Sequence, residues 1–345
     1  MVSLGYILFV IFIAIFAYPL SPDDSTDANE MHVEIATRKP GFSCLFYHKS
    51  NHNVKSQNGW IHYILHGREE LGDAIPIQDY SIKSDSIFLQ AILDETANET
   101  ISFSLNGMNQ DNFIAQRITQ RIFYLGTDRF GRDMLSRLLI GTRVSIAVGC
   151  IAVIISIFIG VLLGSLAAYY GKWVDQLITW LINVVWAIPT LLLVFAITFA
   201  LGKGFWQIFV AVGLTMWVGT ARLIRGQVLS IKELEFIQAA KSMGFSSMRI
   251  LGKHILPNVL GPTMVLAASN FATAILIEAG LSFLGIGVQP PVSSWGLMIK
   301  ENYNFIITNH PMLAIIPGLA IMLIVLAFNL AGNGLRDALD VRGKV

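Results

Sequence analysis

The sequence predicts an all-α integral membrane protein of about six transmembrane helices, carrying a small, partly β insertion outside the membrane. Three observations lead there. Of 345 residues, 54% are hydrophobic and only 14% charged, with a mean hydropathy of +0.60, where an ordinary soluble domain carries roughly 25% charged residues. Long apolar runs recur, each able or nearly able to cross a ~30 Å hydrocarbon core, which takes about 20 helical residues. Lys and Arg gather in one set of the loops that join them, which orients the chain.

The runs lie at Val2–Leu20, Val144–Tyr170, Leu177–Leu201, Phe205–Ala221, Thr263–Ile286 and Met312–Ala331, the fourth being the shortest. The first has no basic lead and no A-x-A site after it, and it exceeds the ~7–15 apolar residues of a signal peptide. It therefore reads as an uncleaved anchor over residues 1–20. With the N-terminus inside, the cytoplasmic segments hold Lys172, then Arg222, Arg225, Lys232, Lys241, Arg249 and Lys253, then Arg336, Arg342 and Lys344. The short outer loops hold only Lys203 and Lys300. Both termini are thus expected in the cytoplasm.

Segment 21–143 is the one stretch long enough for an extramembrane domain. It opens on a breaker cluster, Ser21 to Ser25, and Tyr80–Lys83 and Ile101–Leu105 alternate apolar and polar residues as half-buried strands do. A partly β, extracytoplasmic insertion over 21–124 follows. Cys44 lies in a polar stretch and Cys150 in an apolar run, so no disulfide is expected. A net charge of +1 argues against nucleic acid.

The loop 222–262 is the most informative part. Gln238, Ala239, Ala240, Lys241, Ser242 and Met243 favour helix, and Gly244 is placed to end it. Ser246 or Ser247 is placed to cap a second helix over Met248–Leu256, with Pro257 closing it. Ala240 and Gly244 are four residues apart, which predicts a face with little side chain that a partner can approach closely. Phe236, Ile237, Met243 and Phe245 supply apolar anchors around it, and Lys241 and Arg249 add charge.

This loop resembles the E-A-A-x-x-x-G loop of ABC importer permeases, which a hydrophobic-Leu-Pro follows, here Ile255-Leu256-Pro257. Three further motifs resemble the C-type permease of dipeptide, oligopeptide and nickel importers. Gly126, Thr127, Asp128, Gly131, Arg132, Asp133, Ser136 and Arg137 fit G-T-D-x-x-G-R-D-x-x-S-R. Ser282-Phe283-Leu284-Gly285-Ile286-Gly287, then Pro290-Pro291 and Ser294-Trp295-Gly296, fit a second signature. Asn329 to Arg342 fit N-L-x-G-D-x-L-R-D-x-L-D-P-R, with Asn333 for Asp and Val341 for Pro. The resemblance covers 125–342 and implies a permease domain over 125–345 with a type I ABC importer (MetI-like) core. It implies that Gln238–Gly244 contains the helix coupling the chain to an ATPase, with Gln238, Ala239, Ala240, Lys241, Gly244, Leu256 and Pro257 the coupling residues. Gln238 stands where the family has Glu, so an ion pair there is lost while a hydrogen bond is kept.

The partners implied are two ABC ATPase subunits, a second homologous permease subunit, an extracytoplasmic substrate-binding protein and the lipid bilayer of a bacterial inner membrane. No cofactor is expected on this chain, ATP and Mg belonging to the ATPase partners, and no P-loop or hydrolase motif is present. The cargo of such relatives ranges from dipeptides and longer peptides to nickel.

Some residues carry two readings. Glu278, alone among acidic residues deep in an apolar run, either lines the pathway or a gate or bonds a neighbouring span near Asn270. Pro189 is expected to kink the third span beside the pathway, and Asn183 to bond across helices. The 126–137 segment is either a satisfied surface turn or a dock, and Arg336-Asp337 a local pair. Cys44, His48 and His52, and His62 and His66, have i,i+4 spacing, but a metal site is not expected among them. Two rivals stand against the importer: an ion-driven secondary transporter, which would carry inverted repeats and several intramembrane charges, and a receptor whose function lies in 21–143.

Overall fold

The computed structural model describes residues 1–49, 59–68, 74–83, 86–93, 97–105, 110–202 and 204–339. Helix α1 (Val2–Ile15) and the single turn α2 (Ala17–Leu20) precede β1 (Phe42–His48), α3 (Trp60–His66), β2 (Ala74–Lys83), β3 (Ser86–Ile92), β4 (Asn98–Ser104), α4 (Gln110–Arg117) and β5 (Ile118–Phe123). Then come α5 (Met134–Tyr170), α6 (Lys172–Trp186), α7 (Thr190–Leu201), α8 (Phe205–Lys232), α9 (Glu235–Ser242) and α10 (Ser247–Arg249). A π-helical stretch, Ile250–Ile255, carries α10 into α11 (Leu256–Phe283), and α12 (Trp295–Asn302) and α13 (Met312–Leu339) follow.

Among the described residues, four helices are long and apolar enough to cross a membrane: α5, α8, the continuous helix Ser247–Phe283, and α13. Helices α6 and α7 pass that test only together, bent by 95° at the break between them. α1 is apolar but only 14 residues long. The break falls at Pro189, whose missing N–H and extended ψ of 128° stop one helix and whose carbonyl starts the next through Leu193 N at 3.0 Å. Several boundaries differ from expectation. α5 begins ten residues before Val144, because Asp133 caps it from Met134; α8 runs on to Lys232; the helix expected to close at Pro257 continues through it as α11; and α13 runs past Ala331 to Leu339. The π register just before Pro257 loosens the ladder where proline lacks its N–H, and Asn258 Nδ2 donates to the His254 carbonyl at 2.7 Å.

The chain divides into two compact units: 1–9 with 145–289 and 319–345, and 10–144 with 290–318. The first is held by close helix contact. A Cβ on Gly160 would sit 2.4 Å from Thr220 Cβ, and one on Gly164 2.4 Å from the Ala221 carbonyl. This G-x-x-x-G spacing brings the α5 backbone onto α8, where packing replaces the hydrophobic effect that lipid does not supply. Around it, Ala167, Ile178, Ile182, Trp217, Val218 and Ala221 form one cluster. At the far end of α8, Ala168, Ile224, Val228, Ile231, Ile237, Ala240, Ile250, Leu251, Ile255 and Val259 form another.

The second unit contains a five-stranded antiparallel sheet in the order β4-β3-β2-β1-β5. The alternating stretches Tyr80–Lys83 and Ile101–Leu105 lie on β2 and at β4. Strand alternation sends Tyr47, Ile77, Ile87 and Leu89 to a core with Phe113 of α4, while Cys44, Phe46 and Phe123 join Ile35 in a separate core. Cys44, though in a polar stretch of sequence, is therefore buried.

Candidate functional site

Two constellations draw the motif residues together. The first is the turn between α8 and α11. Met243 is the C-cap of α9; Gly244 (φ 75°) donates to the Lys241 carbonyl at 2.9 Å, and Phe245 donates to the Ala240 carbonyl at 3.2 Å. These are the two bonds of a Schellman end, and Phe245 packs into the cluster that contains Ala240. Ser246 takes the N-cap place of α10 without a side-chain bond. Gln238 Nε2 donates to the Lys232 carbonyl at 3.1 Å, which no glutamate can do.

The small-residue face differs from expectation. Ala240 is 2% exposed and Ile237 fully buried, both turned into the chain's own core. The outward surface is Gln238, Ala239, Lys241 and Gly244, with Phe236 (46% exposed) and Met243 (65%) around it. The 3.6-residue period explains the correction: Ile237 and Ala240 are three apart and share the inward face, so Ala240 cannot share the outer one with Gly244, which already lies past the helix. Nothing lies within 4 Å of a Cβ built on Gly244. Leu256 is half-buried against the same core, and Pro257 is exposed.

The second constellation is the 126–137 segment, which is buried rather than a surface turn. Thr127 Oγ1 donates to the Ile35 carbonyl at 2.6 Å and accepts from Arg38 N at 2.8 Å. Asp128 accepts from Phe130 N, Arg132 N and Arg132 Nε at 2.8, 3.1 and 2.7 Å. Arg132 Nη2 reaches Glu301 at 2.6 Å, and Arg137 Nη2 reaches the same oxygen at 3.1 Å. The four side chains are 0–6% exposed, so two positive and two negative charges balance in a buried site. Asp133 caps α5, accepting from Ser136 N at 2.8 Å and from the Ser136 hydroxyl, which in turn accepts from Asp23 N at 2.9 Å. Burial raises the Asp133 pKa, and the Ser136 bonds oppose that. Gly126 (φ 76°) and Gly131 (φ 74°) are obligatory: an added Cβ would lie 2.3 Å from the Arg38 carbonyl or 1.7 Å from that of His32. Ser293 Oγ and Trp295 Nε1 fasten onto the carbonyls of Arg137 and Leu138, each at 3.0 Å, and Ser294 caps α12.

The remaining candidates scatter. Glu278 is fully buried and accepts from Ser282 Oγ at 2.7 Å, not from Asn270, which instead donates to Ser156 and Thr220 at 3.3 and 3.2 Å. Asn183 accepts from Arg222 at 2.9 Å. Arg336 and Asp337 are adjacent on α13 and exposed, and no ion pair between them is formed. His48 sits on β1 against Thr119 at 2.8 Å, His62 and His66 stack at 4.6 Å on α3, and His52 lies outside the described residues. Among the described residues no His, Cys, Asp and Glu group is arranged to hold a metal ion. The sequence reading missed Glu301 altogether, and it used Arg225 and Lys232 only for orientation. A partner 169 residues away leaves no local signal.

Residues 160–344 match the family model of the binding-protein-dependent transport system inner membrane component. The chain belongs to that family. It is an ABC-transporter permease subunit, a non-enzymatic membrane component that works with a separate ATPase and a substrate-binding protein. It is 43% identical to the dipeptide transport system permease protein DppC of Alkalihalophilus pseudofirmus, over 64% of this chain and 72% of that one. It is 45% identical to the glutathione transport system permease protein GsiD of Escherichia coli (64% and 73%) and 38% identical to the oligopeptide transport system permease protein OppC of Bacillus subtilis (63% and 71%). Among solved structures, the inward-facing MetNI methionine ABC transporter aligns with a TM-score of 0.50 at 19% identity, covering 59% of this chain and 97% of that one. The permease fold is therefore MetI-like, and about a third of this chain lies outside what the relatives cover.

Proposed function

We propose that this chain is one of two homologous permease subunits of an importer for short peptides, and that α9 seats in a cleft of one of two ATPase subunits. ATP and Mg sit on those partners. Closure of the ATPases moves α9, and the movement reopens the pathway to the side where a binding protein delivers cargo. Peptide cargo is supported by the names of the relatives; nickel is the second choice. The observation that carries the coupling role is the Schellman-ended α9, which shows a partner Ala239 and Gly244 rimmed by Phe236, Lys241 and Met243. Six crossings are proposed: α1, α5, α6–α7, α8, α10–α11 and α13. Both termini and α9 are placed in the cytoplasm, and the 21–124 insertion with its sheet outside. Pro189 and Asn183 are placed at the gate, and the fully buried Glu278 supports a gate-holding place over a pore-lining one.

The test is Gly244→Arg. The site is open, so the side chain projects outward and leaves the fold in place, at a left-handed cost of about 1–2 kcal/mol. Uptake of radiolabelled dipeptides and co-purification of the ATPase should both be lost. If both survive, the coupling role is wrong. Uptake by vesicles with a collapsed ion gradient and internal ATP separates this reading from an ion-driven transporter.

A further inference from the structure

Three cations on α8 tie it to its neighbours, two to α6 and one to the end of α5. Arg222 donates to Asn183 and lies 3.3 Å above the Trp186 ring. Arg225 forks onto Asp175, Nε to Oδ1 at 2.6 Å and Nη2 to Oδ2 at 2.7 Å, clasping α6. Lys232 Nζ donates to the carbonyls of Tyr169 and Ala168, at 2.9 and 3.3 Å, in the last turn of α5. Those carbonyls have no partner within the helix, which is why a cation suits them. The Lys232 carbonyl in turn accepts from Gln238 of α9. Positions 222, 225 and 232 fall within an arc of about 80° at 100° per residue, so one face of α8 makes all three ties.

The apolar core beneath α9 is large but non-directional, so it resists separation and not sliding. A forked guanidinium–carboxylate pair fixes both distance and orientation. The Arg225 and Asp175 side chains are 33% and 24% exposed, so the pair adds little to global stability. What it adds is register.

We propose that Arg225 and Lys232 are positioning residues that join the end of α5, α6, α8 and α9 into one moving body, so that force applied at α9 reaches the break at Pro189. This rests on the coupling role of α9 proposed above. The test uses the assembled complex, with Cys44 and Cys150 of this chain replaced by serine and spin labels at Gln176 on α6 and Glu235 on α9, both exposed. The distance between labels is read without nucleotide and with ATP–vanadate trapped, beside co-purification of the ATPase. In the parent chain the distance should be the same in both states. R225Q and K232M should keep the ATPase bound while the distance shifts on trapping by more than ~3 Å, two residues' rise on a helix. R225K, which keeps charge and loses the fork, should resemble R225Q, whereas K232R and the swapped pair D175R/R225D should restore the fixed distance. A parent distance that changes on trapping, or an R225Q distance that stays fixed, overturns the proposal. Failure of the coupling role is read separately, as undiminished ATPase binding by G244R.

Discussion

Removing Glu301 tests the electrostatic argument most directly. Its Oε2 accepts from Arg132 at 2.6 Å and from Arg137 at 3.1 Å, and all the side chains concerned are 0–6% exposed. Glu301→Ala therefore deletes two charge-assisted bonds and leaves two guanidinium groups against one carboxylate, with Arg137 3.8 Å from Asp128. A unit pair at 4 Å is worth about 4 kcal/mol at an effective dielectric of 20, and breaking a buried pair from one side costs about 3–5 kcal/mol. We expect a loss in that range. The same logic gives an unusual second expectation. Removing Arg137 as well leaves the neutral Arg132–Asp128 pair, so R137M/E301A should be more stable than E301A alone.

The assay is denaturant unfolding of the detergent-solubilised chain followed by tryptophan emission. Trp295 is 3% exposed and anchored to the first turns of α5, so its environment reports on this site. The reasoning is refuted if E301A stays within ~1 kcal/mol of the parent, the size of an ordinary substitution. It is refuted equally if the double variant loses the sum of the two single losses, as independent sites would.

Three further outcomes are expected. Gly131→Ala should abolish folding of the 126–137 segment, because the new methyl meets the His32 carbonyl at 1.7 Å; Gly244→Ala, with the same sign of φ but open space, should cost about 1–2 kcal/mol, and thermal scans of the two chains compare them. Thr127→Val should cost about 1–3 kcal/mol, since it orphans the Ile35 carbonyl and the Arg38 amide, read as faster hydrogen exchange at Arg38. For Glu30, burial pushes the pKa up, but the His32 imidazole and the Arg121 guanidinium outweigh it and bring it from 4.5 to about 2. Its stabilisation is thus complete above pH 4.5 and lost as pH falls toward 2; Asp23, raised by burial, works in the opposite direction. Arg121→Met should remove much of that acid-range slope in the exchange of β1 and β5 amides, corrected for intrinsic rates.

The sequence carried the membrane class, the position of the α9 turn and the kink at Pro189, because each follows from local chemistry: apolar run length, a glycine after a helix, a proline without its N–H. It did not carry what depends on distance along the chain. Arg132 reads as a surface charge until Glu301 is placed beside it, and Lys232 as an orientation marker until the carbonyls of Ala168 and Tyr169 are brought to it. Boundaries were missed for a related reason. Pro257 ends a regular α-helix, yet a π register just before it lets the helix continue.

The correction at Ala240 bears on how α9 works. A small residue in such a helix has two uses, to let a partner approach or to let the helix itself approach its own core. Ala240, 2% exposed, serves the second; in the coupling role proposed above, the exposed Ala239 and Gly244 serve the first. A side chain larger than Ala at 240 would lift α9 from Ile224, Val228 and Ile255, changing its height above the core without touching the outward surface. Ala240→Leu and Gly244→Arg should then fail differently. The first should still bind the ATPase but transmit poorly, since the inserted bulk costs about 1–3 kcal/mol of packing; the second should not bind it. If A240L loses the ATPase as G244R does, the inward and outward faces of α9 are not separable, and the division of labour between them is wrong.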